Sequence, residues 1–306
     1  MKKFLKNGLI FVFPLLLVLV PLEILLREVP NPYKYKYEWM QKNAPEVETL
    51  VLGSSHAFYG IRPEFLDGKA FSLANVAQEF QLDSFLINYW SDKYTHLKTV
   101  ICPVSFFSWF DPGIEKGKES YRCRYYKIYM DCDLYSSISY NFELSHLSSC
   151  KYKFKKIFAD NPKAGCDEFG WGNEQTLARK NKKAWKDGSD AAKTAKHHKR
   201  NIAENYRENY ERMRNIALFC QNKGIRLILV TTPAWHDYFD KLDQEQLLKM
   251  YELTHKLQKE FNLPYLDYLK SPLFGEDDFF DADHLSDVGA EKFTKILNRD
   301  ISMLKR

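Results

Sequence analysis

The sequence predicts an α/β protein. Three layers, α/β/α, surround a five-stranded, mostly parallel sheet, with an apolar N-terminal helix in front and a long insertion in the middle. Three observations carry that prediction. Short apolar runs rich in branched residues alternate with stretches of helical period, the pattern of a parallel sheet covered on both faces. Several of these runs close on a turn former, Gly53, Pro103 or Pro233. The residues with chemical potential follow strand ends, the edge at which open α/β sheets keep their sites.

Lys2, Lys3 and Lys6 precede an apolar run from Leu9 to Leu22, which Glu23 interrupts before Ile24, Leu25 and Leu26. A charged n-region and an apolar h-region are what an export signal needs, yet no small-x-small cleavage site follows. Residues 1–30 therefore read as an uncleaved anchor spanning the membrane once, with the rest of the chain outside; a cleaved signal or a buried helix are the alternatives. Residues 31–48 read as a juxtamembrane linker whose Tyr33, Tyr35, Tyr37 and Trp39 suit an interfacial belt. Residues 49–306 form the α/β domain.

Thr49 to Leu52 is the first strand, closed by Gly53-Ser54-Ser55-His56. Ala70 to Leu73 is the second and leads to Asn75 and Gln78. Leu82, Phe85, Leu86, Tyr89 and Trp90 mark one face of a helix. Thr99 to Cys102 is the third strand, closed by Pro103. Arg226 to Thr231 is the fourth and Pro264 to Leu266 the fifth, with helices over 202–220 and 247–261 before them. The last helix starts at Ser286 or Asp287 and buries Phe293, Ile296, Leu297 and Ile301.

Residues from about 105 to 200 break the alternation and read as an insertion over the sheet's active edge. The 306-residue chain has a net charge of +5, but the stretch 151–200 alone carries a surplus of eight positive charges, so only this segment is basic. It suits an anionic polymer or lipid headgroups better than nucleic acid. Trp171, between Gly170 and Gly172, suits stacking on a sugar ring beneath a closing lid, or else packs into the body. Cys123, Cys132, Cys150 and Cys166 all fall here and allow two disulfides in an exported domain. Cys102 and Cys220 read as buried thiols. No spacing supports a metal site, no cofactor is implied, and His197-His198 reads as part of a solvated lysine-rich face.

A serine hydroxyl becomes a nucleophile when a base takes its proton and a third group orients the base. Ser55 as nucleophile, His284 as base and Asp281 as orienter meet that need, with Asp281 and His284 three residues apart on one loop. Ser54 competes as nucleophile and Asp283 as orienter. The Ser55 backbone N–H, Asn75 and Gln78 are candidate oxyanion donors. His56 and His236 either line the site or are structural.

Gly-x-Ser early and Asp-x-x-His late resemble the SGNH (GDSL-like) hydrolase pattern, in particular its membrane-anchored branch of polysaccharide O-acetylation and teichoic-acid D-alanylation proteins. That resemblance implies a flavodoxin-like sheet and the third position of Gly53-Ser54-Ser55 as the reactive serine. It also implies a serine esterase or O-acyltransferase acting on acyl groups, acetyl first, of cell-surface polysaccharide, with a membrane-bound acyltransferase as a partner. The sequence departs from the pattern at Ser54, where the family has Asp, and at Pro103-Val104-Ser105-Phe106, where it has a Gly-x-Asn-Asp block. The departure supports a second expectation, a non-catalytic polysaccharide-binding or scaffold protein on a degenerate hydrolase fold.

Overall fold

A computed structural model describes residues 2–159, 163–180 and 188–304, with side chains from Val12 onward. Five strands, β1 (Thr49–Val51), β2 (Ala70–Ser72), β3 (Thr99–Pro103), β4 (Arg226–Thr231) and β5 (Tyr265–Asp267), form one sheet in the order β2-β1-β3-β4-β5. Every neighbouring pair is parallel, with Leu50 opposite both Phe71 and Val100, and Ile101 opposite Ile228. The helices are α1 (Lys2–Glu28), α2 (Pro32–Asn43), α3 (Ser55–Gly60), α4 (Phe80–Tyr89), α5 (Cys123–Tyr129), α6 (Leu147–Ile157), α7 (Ser189–His198), α8 (Tyr206–Asn222), α9 (His236–Phe239), α10 (Gln244–Phe261) and α11 (Asp287–Met303).

Side chains alternate across a strand, and here the alternation divides the core in two. Leu50, Val100, Cys102, Leu227 and Leu229 pack on one face with α2, α4, α8 and α10. Val51, Ile101, Ile228 and Val230 pack on the other with Ala57 and Phe58 of α3 and Phe293, Leu297 and Ile301 of α11. The three expected layers are present. Ser286 caps α11 by accepting from the Gly289 N–H at 3.2 Å.

Three expectations change. Residues 31–48 are not a linker: Asn31 caps α2, Pro32 occupies its first turn, and Tyr33, Lys36 and Met40 are buried against the domain. Trp39 stacks on Phe71 with ring centres 3.7 Å apart, so the aromatics belong to the core rather than to an interfacial belt. The insertion is also built into the body, since Trp109, Phe110, Cys123, Tyr126 and Tyr135 share the first core. The two disulfides do not form: Cys123, Cys132, Cys150 and Cys166 are free and buried, as are Cys102 and Cys220.

At the N-terminus, α1 runs without interruption through Pro14 and Pro21, and Leu26 at its end is fully buried. Glu23 accepts from the Glu143 and Leu144 backbone N–H groups at 2.9 and 3.0 Å, which fastens the helix to the insertion. Before that point the helix exposes large apolar side chains, Phe13 and Val18 among them. Among the described residues no helix is long and apolar enough to cross a membrane, and the first part of the expected span, residues 1–11, lies outside the described side chains.

Candidate active site

The site forms where β1 ends. Gly53 turns the chain with φ +108°, and a Cβ there would come within 3.0 Å of Pro103. Glycine is the residue that tolerates both conditions. Its N–H donates to Asp83 Oδ1 at 2.8 Å, which anchors the turn to α4. Ser54 takes the N-cap position without a side-chain capping bond, so Ser55 becomes the first residue of α3. A first-turn N–H has no intrahelical acceptor.

Ser55 Oγ lies 2.8 Å from His284 Nε2. On the other side of the ring, His284 Nδ1 lies 3.0 and 3.1 Å from the two oxygens of Asp281. Asp281 Oδ1 also accepts from the His284 backbone N–H at 2.8 Å, so one carboxylate fixes both the loop and the imidazole. The structure thus joins serine, histidine and aspartate in one hydrogen-bonded chain, from two segments more than two hundred residues apart. Among the described residues the hydroxyl hydrogen-bonded to His284 Nε2 is that of Ser55 and not of Ser54.

Asp283 is the second acidic neighbour, with Oδ1 3.4 Å from His284 Nδ1. Burial alone would push His284 down, but the Asp281 and Asp283 carboxylates outweigh it and hold the imidazole well above its ordinary value. Burial likewise opposes ionisation of Asp283, yet the His284 charge and hydrogen bonds from His284 and His56 hold that carboxyl well below its usual range.

The expected oxyanion donors are less well placed. Gln78 donates to Asp83 at 2.6 Å and accepts from the Tyr126 hydroxyl at 2.9 Å, so its amide braces the scaffold. Asn75 is buried, and its amide nitrogen makes two long bonds, to Leu73 O at 3.3 Å and Gln78 Oε1 at 3.4 Å. Trp171 is removed from the site: it is 5% exposed, its indole N–H donates to Tyr59 O at 2.7 Å, and the Arg62 guanidinium covers its ring at 4.5 Å. Ser72 N donates to Phe169 O at 2.9 Å, and a Cβ on Gly170 would sit 2.4 Å from Ser72 O. The segment is clamped to the β2 edge and is not a lid.

Three residues enter that sequence reasoning undervalued. His56 is buried and faces Asp283 at 3.0 Å. His198, read as part of a solvated face, donates toward or accepts from the Tyr238 hydroxyl at 2.8 Å and lies 3.8 Å from Asp283. Burial pushes it down to about 3, with His56, His284 and Arg200 adding to the effect against Asp283. The signal was present in α7, where Ala191, Ala195 and His198 follow helical spacing toward the core. Ser105, beyond β3, completes the group. His236 stays outside, more than half exposed beside Asp237. His56, Asp283 and His284 bring ligand-type atoms within 4.8 Å of one another, but His56 and Asp283 are hydrogen-bonded and His284 Nε2 faces Ser55.

Ser55 opens onto a cleft of about 510 Å³ bounded by Pro103, Phe107, the loop 111–119 and Arg200. A second cleft of about 560 Å³, lined by Tyr59, Asn75, Tyr121, Arg122 and Tyr152, adjoins it, and Val76 borders both.

Fold and site together define an α/β protein with a serine–histidine–aspartate chain at the carboxyl edge of a parallel sheet. No family model matches the chain, and no curated protein does. Among solved structures it is similar to a GDSL-like lipase from Bacteroides thetaiotaomicron, at 10% identity over 89% of this chain and 98% of that one, with a TM-score of 0.42. It is also similar to an acylhydrolase from Bacteroides fragilis, at 10% identity over 93% and 95% of the two chains and a TM-score of 0.40. A lipase/acylhydrolase from Enterococcus faecalis matches at 13% identity over 83% and 95%, with a TM-score of 0.38.

Proposed function

We propose that the protein is a serine esterase or O-acyltransferase in which Ser55 is the nucleophile, His284 the general base and Asp281 its orienting carboxylate. The observation that carries the proposal is the continuous hydrogen-bonded chain from Ser55 through His284 to Asp281, with Ser55 lining a cleft. As Ser55 Oγ attacks the acyl carbon, its proton passes to His284 Nε2, and the imidazolium is stabilised by Asp281. The Ser55 N–H faces the developing oxyanion. His284 then returns the proton to the departing alcohol. Water or an acceptor hydroxyl, deprotonated by the same imidazole, releases the acyl group.

We further propose that the acceptor is a hydroxyl of a cell-surface polysaccharide and that α1 anchors the chain to the membrane with the domain outside. Two adjoining clefts suit a donor and an acceptor better than one ester and water, and the apolar side chains exposed along α1 suit lipid. A membrane-bound acyltransferase would supply the acyl group. The second reading, a non-catalytic polysaccharide binder or scaffold, draws on the engaged Gln78 amide and the poorly bonded Asn75.

A fluorophosphonate probe separates the two. Labelling of the wild type that disappears in Ser55→Ala and persists in Ser54→Ala is the expected result. An unlabelled wild type with a native fold would leave the scaffold reading in place.

A further inference from the structure

His284 turns one nitrogen to Ser55 and the other to two carboxylates. A neutral imidazole that accepts from Ser55 carries a single proton, on Nδ1, and the shorter approach gives that proton to Asp281. Asp283, 4% exposed and at the longer approach of 3.4 Å, is left with the weaker share of that proton, and its other oxygen needs a donor. His56 supplies it, with Nε2 3.0 Å from Asp283 Oδ2. The other nitrogen of His56 lies 2.7 Å from Ser105 Oγ. A hydroxyl donating to Nδ1 leaves the imidazole proton on Nε2, aimed at Asp283. Ser105 is itself held, since its backbone N–H donates to Ser108 Oγ at 2.9 Å. With 5% exposure and no part in lining either cleft, Ser105 is not a second nucleophile.

We propose that Ser105, His56 and Asp283 form a positioning relay behind His284, in which Asp283 is a second orienting carboxylate beside Asp281 and His56 keeps it ionised. The relay rests on the reading of Ser55 and His284 as nucleophile and base. It does not touch the substrate.

The groups around His284 and its two carboxylates come from four elements. Asp281 and Asp283 lie on its own loop, and His56 and Tyr59 come from α3, the Tyr59 ring edge-on to His284 at 5.9 Å. His198, at the end of α7, is kept neutral by burial, and Arg200 follows it. Tyr238, from α9, is held in its protonated form by burial, as Tyr59 is, which also feels Glu174. Among the described groups the charges nearest the ring are the two carboxylates, Asp281 at 3.0 Å and Asp283 at 3.4 Å. Two anions stabilise the imidazolium, so His284 gives up its proton only at raised pH. Removing one of them moves that loss to lower pH.

The test is a nuclear magnetic resonance titration of the full-length protein with ¹⁵N-labelled histidine, without substrate, with His284 assigned through His284→Gln. In the wild type the His56 nitrogens should report a proton on Nε2 and not on Nδ1. In Asp283→Asn the His284 midpoint should fall by roughly one to three pH units. His56→Phe should shift it in the same direction, and His56→Gln, which keeps an N–H for Asp283, should restore it. A wild-type His56 protonated on Nδ1 alone overturns the relay without any variant. So does a native-like Asp283→Asn or His56→Phe protein with an unmoved midpoint. Because no turnover is measured, these outcomes stand apart from fluorophosphonate labelling, which tests the enzyme reading itself.

Discussion

At Gly53 the site depends on a residue with no chemistry of its own. Its φ of +108° and the 3.0 Å approach to Pro103 leave no room for a side chain. Gly53→Ala should lower stability by about 1–3 kcal/mol in urea denaturation and displace Ser55, so that probe labelling falls even in the folded fraction. His284→Ala should lose as much acyl-ester turnover as Ser55→Ala, and the double variant should lose little more, because the pair acts as a unit. Additive losses on combining the two would show that they do not work together. At this scale the spacing of Asp281 and His284 paired them, the resemblance implied Ser55, and Ser54 and Asp283 stayed as rivals. Spacing could not rank them, because which hydroxyl meets the imidazole depends on where α3 begins.

Among the elements, the segment around Trp171 departs furthest from what composition suggested. A tryptophan between two glycines reads as a mobile sugar platform, yet both glycines are there for close approach. Gly170 lies against Ser72 O, and Gly172 donates its N–H to Phe58 O at 2.8 Å. Trp171→Ala should therefore cost about 3–5 kcal/mol of stability, read by thermal or urea unfolding. A Trp171→Ala protein that unfolds like the wild type but loses glycan binding would restore the platform. Helix α2 teaches the same lesson from the opposite direction. Its alternating tyrosines and lysines have low amphipathic contrast, and burial of Lys36 was not visible until Ala74 O and the Phe58 ring, 4.4 Å from its ammonium, appeared around it. Burial pushes Lys36 down to about 7.

In the whole molecule, the cleft that holds Ser55 is underlain by acids with little compensation. Burial pushes Asp83 up to about 7 against hydrogen bonds from Gln78 and Gly53, and burial pushes Glu79 up to about 7 as well. An unfolded carboxyl ionises near pH 4. Between roughly pH 4 and 7 these two sites therefore bind more protons in the folded chain than in the unfolded one, and their contribution to stability should decline as pH rises through that window. Asp83→Asn, which keeps an acceptor for Gly53, should remove a decline on the order of 2–4 kcal/mol between pH 5 and pH 8 in urea titrations. An equal decline in the variant would place the loss elsewhere. Retention of α1 is tested by fractionation: the intact chain should sediment with membranes and be open to external protease, and a mature N-terminus beyond Leu26 would refute it.

What the sequence determined by itself was the sheet and the edge that carries the site. Apolar runs broken by turn formers specify the strands through local chemistry alone, four of them buried and β5 a partly exposed edge, and residues directly after strand ends must gather on one edge when the strands are parallel. What only the tertiary structure decided was which side chains meet. His56 and Ser105 lie far from Asp283 in the chain, and Trp171 far from Tyr59, so no periodicity or spacing links them. Their partners are set by how α3, α7 and the insertion pack against the two faces. A buried polar group takes whichever donor or acceptor that packing brings within reach.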